Sequence, residues 1–184
     1  MTLFLPGAAF MVNDRVHALS RRALRGLLPL GLAFLGASSL CLPTVAGAAD
    51  HSTVFDTNCS MCHQLGAAGV PGQFPRLAGR ADRIAATAAG RDYLERVVLF
   101  GMIGGITVDG TPIVGGVMPS FASLSNEDLA AALDYIVSLD ASGKSRGESA
   151  VFKPADIASA RAGKPLSPAQ VHELRAAAVG GKDP

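Results

Sequence analysis

The chain has 184 residues, with 16 Lys and Arg against 15 Asp and Glu, a formal net charge of +1 and four His. That length suits one compact domain with accessory segments rather than two large cores. So small a net charge argues against a nucleic-acid-coating protein.

Residues 1–48 read as a secretory leader. Arg15, Arg21, Arg22 and Arg25 precede the apolar stretch Leu27 to Leu35, and Ala46-Gly47-Ala48 supplies small residues for cleavage. The leader is long, and Met11 to Ala48 alone contains every required part. Ser20-Arg21-Arg22 superficially resembles a twin-arginine signal, but the general secretory route fits better with a group attached to unfolded polypeptide after export. The uncharged run from Gly26 to Ala49 is long enough to anchor the protein in a membrane if the leader is retained. Leu40 is too bulky for the position before a lipidated cysteine, which argues against lipidation at Cys41. Without the leader, twelve basic side chains face fourteen acidic ones, a net charge of −2.

His51 to Asn58 has the pattern of a short helix, with Val54 and Phe55 as apolar contacts. It delivers Cys59-Ser60-Met61-Cys62-His63, the most informative segment of the chain. Two thiols three positions apart can each add to a porphyrin vinyl group, and the adjacent imidazole can coordinate the iron. A zinc site needs a second ligand pair, and the remaining cysteine, Cys41, lies in the leader. A thioredoxin-like pair needs a βαβ pattern that does not follow. The motif therefore predicts one covalent haem c attached through Cys59 and Cys62, with His63 as an iron ligand.

Gly66 to Gly79 is rich in Gly and Pro and reads as a loop passing along a flat cofactor. Tyr93 to Phe100, preceded by Asp92, reads as a helix, and Gly101 to Gly116 as a loop containing a tight Asp109-Gly110 hairpin turn. Ser125 can cap a last core helix, with Glu127 and Asp128 at its positive end and Leu129, Leu133, Ile136 and Val137 at helical spacing. Tyr135 on that helix is expected near Phe55. The predicted core, from Asp50 to Leu139, is all-α and loop-rich, and the porphyrin supplies much of its interior.

The second axial ligand must come from elsewhere in the chain. Met61 lies between the two thioether cysteines and cannot reach the opposite face. Met102 directly follows a helix and is expected to pack in the core. Met118, after Gly115-Gly116-Val117 and before Pro119, stands in a rigid setting that can hold a sulfur in one place. His51, His172 or an open position are the remaining options. A thioether favours ferrous iron, and two filled axial positions leave no vacancy for oxygen or peroxide. Outer-sphere electron transfer is therefore the expected function, as a carrier rather than an enzyme; the alternative is a haem enzyme or gas sensor with an open or displaceable distal ligand.

Cys59-x-x-Cys62-His63, Pro75-x-Leu77-Ala78-Gly79, the Met118-Pro119 loop and the terminal Leu-rich helix with Tyr135 together resemble class I monohaem cytochromes c. Gly104 to Gly110 is similar to a segment of small bacterial cytochromes that work with periplasmic dehydrogenases and reductases. The resemblance implies a small fold of roughly three to five helices and long loops around one covalent haem. It also implies a periplasmic setting and a redox protein, dehydrogenase or reductase subunit as partner, with no nucleic acid involved. By position, the Pro75 carbonyl would accept a hydrogen bond from the His63 ring. Relatives that bind a propionate through tryptophan have no counterpart here, since the chain has none; Arg76 or Arg80 is expected instead.

The domain expected from this reading is 49–141, followed by a C-terminal extension, 142–184, rich in Ala, Gly, Ser, Lys and Pro. Pro154 to Arg161 and Pro168 to Arg175 both begin like helical turns with an early proline. Too poor in large apolar residues for a second core, the extension is expected to serve as a partner-docking arm or to fold on its own domain. Arg76, Arg80, Arg83, Arg91 and Arg96 outnumber Asp82, Asp92 and Glu95 in one stretch, which reads as either a surface steering an acidic partner or a solvated helix face.

Overall fold

Asp50 opens the first helix, its carboxylate accepting from the Ser52 N–H at 3.3 Å, and α1 runs over His51–Asn58. The computed structural model describes residues 50–179; the expected leader, with its cleavage point and its alternative as an anchor, and residues 180–184 lie outside the described residues. α2, Ser60–His63, is a single turn, followed by a 3-10 turn at Leu65–Ala67. Next come α3, Ala81–Ala85, and α4, Ala88–Phe100. α4 begins five residues before the expected Tyr93, because the Thr87 hydroxyl caps it by accepting from the Gly90 N–H at 2.9 Å.

Between α4 and α5, Asn126–Ser138, the chain forms two small antiparallel ribbons instead of a plain loop. β1, Met102–Ile103, pairs with β4, Val117–Met118, in the register Met102 opposite Met118 and Ile103 opposite Val117. β2, Ile106–Val108, pairs with β3, Thr111–Ile113, across Asp109 and Gly110. Those two residues have φ of 50° and 75°, the left-handed pair that a two-residue hairpin turn demands. Ser125 caps α5 as expected, its hydroxyl accepting from the Asp128 N–H at 3.0 Å.

α1 and α5 cross with the rings of Phe55 and Tyr135 5.1 Å apart and tilted by 44°. Phe55, Leu94, Leu99, Leu129 and Leu133 anchor the core there, each 5% exposed or less. The structure is thus a small, mostly helical fold. Its core holds five helices, α1–α5, within the expected number, and the C-terminal segment adds two.

Residues 142–179 follow the second of the two readings of the extension and pack on the domain that precedes them. Arg146 reaches the C-terminal carbonyls of α5, bonding Val137 at 3.0 Å and Leu139 at 3.2 Å, and pairs with Asp82 at 2.7 Å. The Asp134 carboxylate accepts from the Val151 and Phe152 N–H groups at 2.8 and 3.0 Å. α6, Pro154–Ala162, and α7, Pro168–Val179, then pack on the domain, with prolines at the expected first positions. Phe152 is 3% exposed, and Ile157 and Val171 are fully buried in the same core as Phe55 and Leu133. The apolar residues are few, but they dock onto an existing core rather than needing one of their own. Among the described residues, no helix is long and apolar enough to cross a membrane.

Candidate functional site

The two thiols sit where α1 gives way to α2. Cys59 caps the end of α1, its N–H reaching the Phe55 carbonyl at 2.8 Å, and one turn of α2 brings Cys62 and His63 to the same side. Burial pushes the Cys59 thiol up to about 11, helped by the neighbouring Cys62 charge.

His63 is buried, and its Nδ1 lies 3.0 Å from the carbonyl oxygen of Pro75. A carbonyl only accepts, so Nδ1 carries the proton and Nε2 keeps its lone pair. Burial also holds the imidazole below its ordinary pKa of 6.5, against a smaller opposing effect of the Pro75 bond, so the ring is neutral at pH 7. A neutral ring with one nitrogen anchored to backbone is the form in which histidine ligates a metal.

Pro75 reaches this position because the loop folds back on itself at Gly69. Gly69 has a φ of +67°, its N–H bonds the His63 carbonyl at 2.7 Å, and a Cβ there would stand 2.5 Å from the Arg76 nitrogen. Only glycine combines that conformation with that approach. The Gly/Pro composition of the loop signals a turn, but not which glycine the approach depends on.

In front of His63 lies a cavity of about 480 Å³. Its walls are mainly apolar: Phe74, Pro75 and Leu77 from the loop, Ile84 from α3, Leu94 and Val97 from α4, and Leu133 and Ile136 from α5. Met102, Met118, Pro119 and Phe121 belong to the same lining, as do Cys59, Cys62 and His63. Sulfur donors, an imidazole nitrogen and apolar walls fit a flat, largely hydrophobic macrocycle bound through two thioethers.

The histidines and methionines take distinct places around it. Met61 is 85% exposed at the rim. Met102 is buried, with the Tyr93 hydroxyl donating to its sulfur at 3.7 Å, whereas Met118 is half-buried on the paired strand. Nε2 of His172 bonds the Gly105 carbonyl at 2.7 Å, and His51 lies on α1 away from the lining.

Arg76 does not line the cavity. Its Nε and Nη2 grip the two oxygens of Asp109 at 3.0 and 2.9 Å, and Nη1 donates to the Ala78 carbonyl. Arg80, the other arginine expected near a propionate, is 2% exposed, lines the cavity and bonds the Arg76 carbonyl at 3.0 Å. Two of the arginines read as a steering surface or a solvated helix face make local bonds. Arg96 pairs with Asp92 at 2.8 Å and Arg91 bonds the Ala85 carbonyl at 2.8 Å.

The family model for cytochrome c matches residues 48–140. The chain is 38% identical to a cytochrome c-552 of Thermus thermophilus over 140 residues, covering 76% of this chain and 90% of that protein. A second cytochrome c-552 of the same species is 39% identical over 123 residues, 67% of this chain and 92% of the relative. With the Cys59-x-x-Cys62-His63 motif at the mouth of an apolar cavity, these likenesses make the chain an electron-transfer haem protein with covalently attached haem c, a member of the class I cytochrome c family.

Proposed function

We propose that the protein is a periplasmic carrier that passes single electrons to or from a periplasmic dehydrogenase or reductase, its haem held between His63 and Met118. The observation that carries this reading is the 3.0 Å contact of His63 Nδ1 with the Pro75 carbonyl, which leaves Nε2 to ligate, on a residue that lines the same cavity as Met118. When bound, haem c supplies a one-electron Fe(II)/Fe(III) couple.

The polypeptide supplies the rest. Pro75 fixes the ring and strengthens the imidazole as a ligand. Leu94, Val97, Leu133 and Ile136 exclude water, which disfavours the added positive charge of the oxidised state and raises the potential. Met118 is preferred to Met102 because the sulfur of Met102 already accepts the Tyr93 hydroxyl. Arg80 would pair with a propionate. Met61, Val114 and Val117, 85%, 84% and 69% exposed, form an apolar rim of the cavity where a redox partner would dock. The leader would direct the chain to the periplasm.

A redox titration of the exported holoprotein tests the reading. A single one-electron wave, with slow carbon monoxide binding by the reduced protein, supports a carrier with both axial positions filled. Rapid carbon monoxide binding at neutral pH would move the assignment to an open-site haem enzyme or sensor.

A further inference from the structure

The strand that carries Met118 is tied to α4 on its C-terminal side, where the Phe121 N–H bonds the Val98 carbonyl at 2.9 Å, and on its N-terminal side depends on its ribbon partner. β1 and β4 are two residues each, and a ribbon that short is marginal in water unless something packs on it. Helix α7 lies against β1 and α4, seated by the fully buried Val171. The next residue, His172, places Nε2 2.7 Å from the Gly105 carbonyl. Since the carbonyl accepts, the ring donates.

The same ring covers Gly104, where a Cβ would come within 2.7 Å of His172 Cδ2. The Gly104 N–H in turn bonds the Gly116 carbonyl at 3.1 Å, continuing the ladder that sets Met102 opposite Met118. A continuous line of contacts thus runs from α7 through Gly105 and Gly104 to the backbone two residues before Met118.

We propose that His172 is a positioning residue for the distal methionine, and that α7 is a strap whose clasp is the bond from His172 to Gly105. Without the clasp, the ribbon opens more often and Met118 leaves the cavity more often. This rests on the reading of Met118 as the distal ligand. A purely structural role would alter unfolding but leave the folded protein's ligand equilibrium unmoved.

The test is exogenous imidazole binding to the ferric holoprotein, which requires Met118 to be displaced, with the sulfur-to-iron charge-transfer absorption as the marker of the attached state. Loss of one hydrogen bond in His172→Ala should tighten apparent imidazole binding about fivefold and weaken that absorption. His172→Gln, whose amide can still donate, should return to within about twofold of wild type. Glu173→Ala, on the exposed side of the same turn, should match wild type. If His172→Ala does not accumulate, His172→Leu fills the ring's space without a donor, and its expected shift is the same. Imidazole binding unchanged in the donor-less variant, or shifted equally by Glu173→Ala, overturns the clasp. Wild-type protein lacking the sulfur absorption would instead overturn the reading of Met118, and the clasp with it.

Discussion

Arg76 and Asp109 form a two-nitrogen, two-oxygen pair at 2.9 and 3.0 Å, tying the loop that supports His63 to the turn of the β2–β3 hairpin. The bond from Arg76, with the guanidinium charge behind it, holds the Asp109 carboxyl below its ordinary value of 3.8. A carboxyl depressed in the folded state stabilises it above the unfolded pKa, and that contribution disappears as pH falls through the folded value. Asp109 is 47% exposed, so screening limits the pair to about 0.5 kcal/mol. Asp109→Asn should therefore be less stable than wild type at pH 6 in denaturant titrations, and the two should converge below pH 3.8. A gap that persists in acid would assign the effect to something other than this charge.

Gly69→Ala should be among the most damaging single-methyl changes in the loop. It forces alanine into a left-handed conformation and drives a Cβ to 2.5 Å from the Arg76 nitrogen, so Pro75 must move away from His63. The expected cost is at least about 2 kcal/mol in denaturation of the holoprotein. Stability equal to wild type would mean that the loop reaches His63 by another route.

Asp134 is the anchor of the C-terminal segment. Burial pushes its carboxyl above the usual range despite the opposing pull of the Phe152 and Val151 N–H groups. In Asp134→Ala both N–H groups lose their acceptor, at a cost of about 2 kcal/mol. Limited proteolysis should then cut between Leu139 and Phe152 much faster than in wild type. Equal cleavage rates would show that Phe152 and Ile157 hold the segment without it.

Much of the fold and site is legible in the sequence wherever the signal is local. The haem-attachment motif, the Asp109-Gly110 turn and the Ser125 cap each lie within a few residues, and their chemistry allows few alternatives. The Phe55–Tyr135 contact is legible because both residues stand on helices with clear apolar faces. The start of α4 is hidden, since Ala88-Ala89-Gly90 carries no apolar periodicity and the cap rests on one threonine. The partner of Arg76 lies 33 residues away, beyond any local pattern. The burial of Phe152, Ile157 and Val171 is hidden for a similar reason: isolated apolar residues among Ala, Ser and Lys make no stripe, and only the finished core gives them a place.

The proposed distal ligand is one sulfur, that of Met118, on the far side of the haem from His63. Visible and far-red absorption of ferric Met118→Ala and Met102→Ala, purified as holoproteins, tests it most directly. The sulfur-to-iron charge-transfer absorption should vanish in Met118→Ala and survive in Met102→Ala, whose sulfur instead accepts the Tyr93 hydroxyl. Survival of that absorption in Met118→Ala would contradict it.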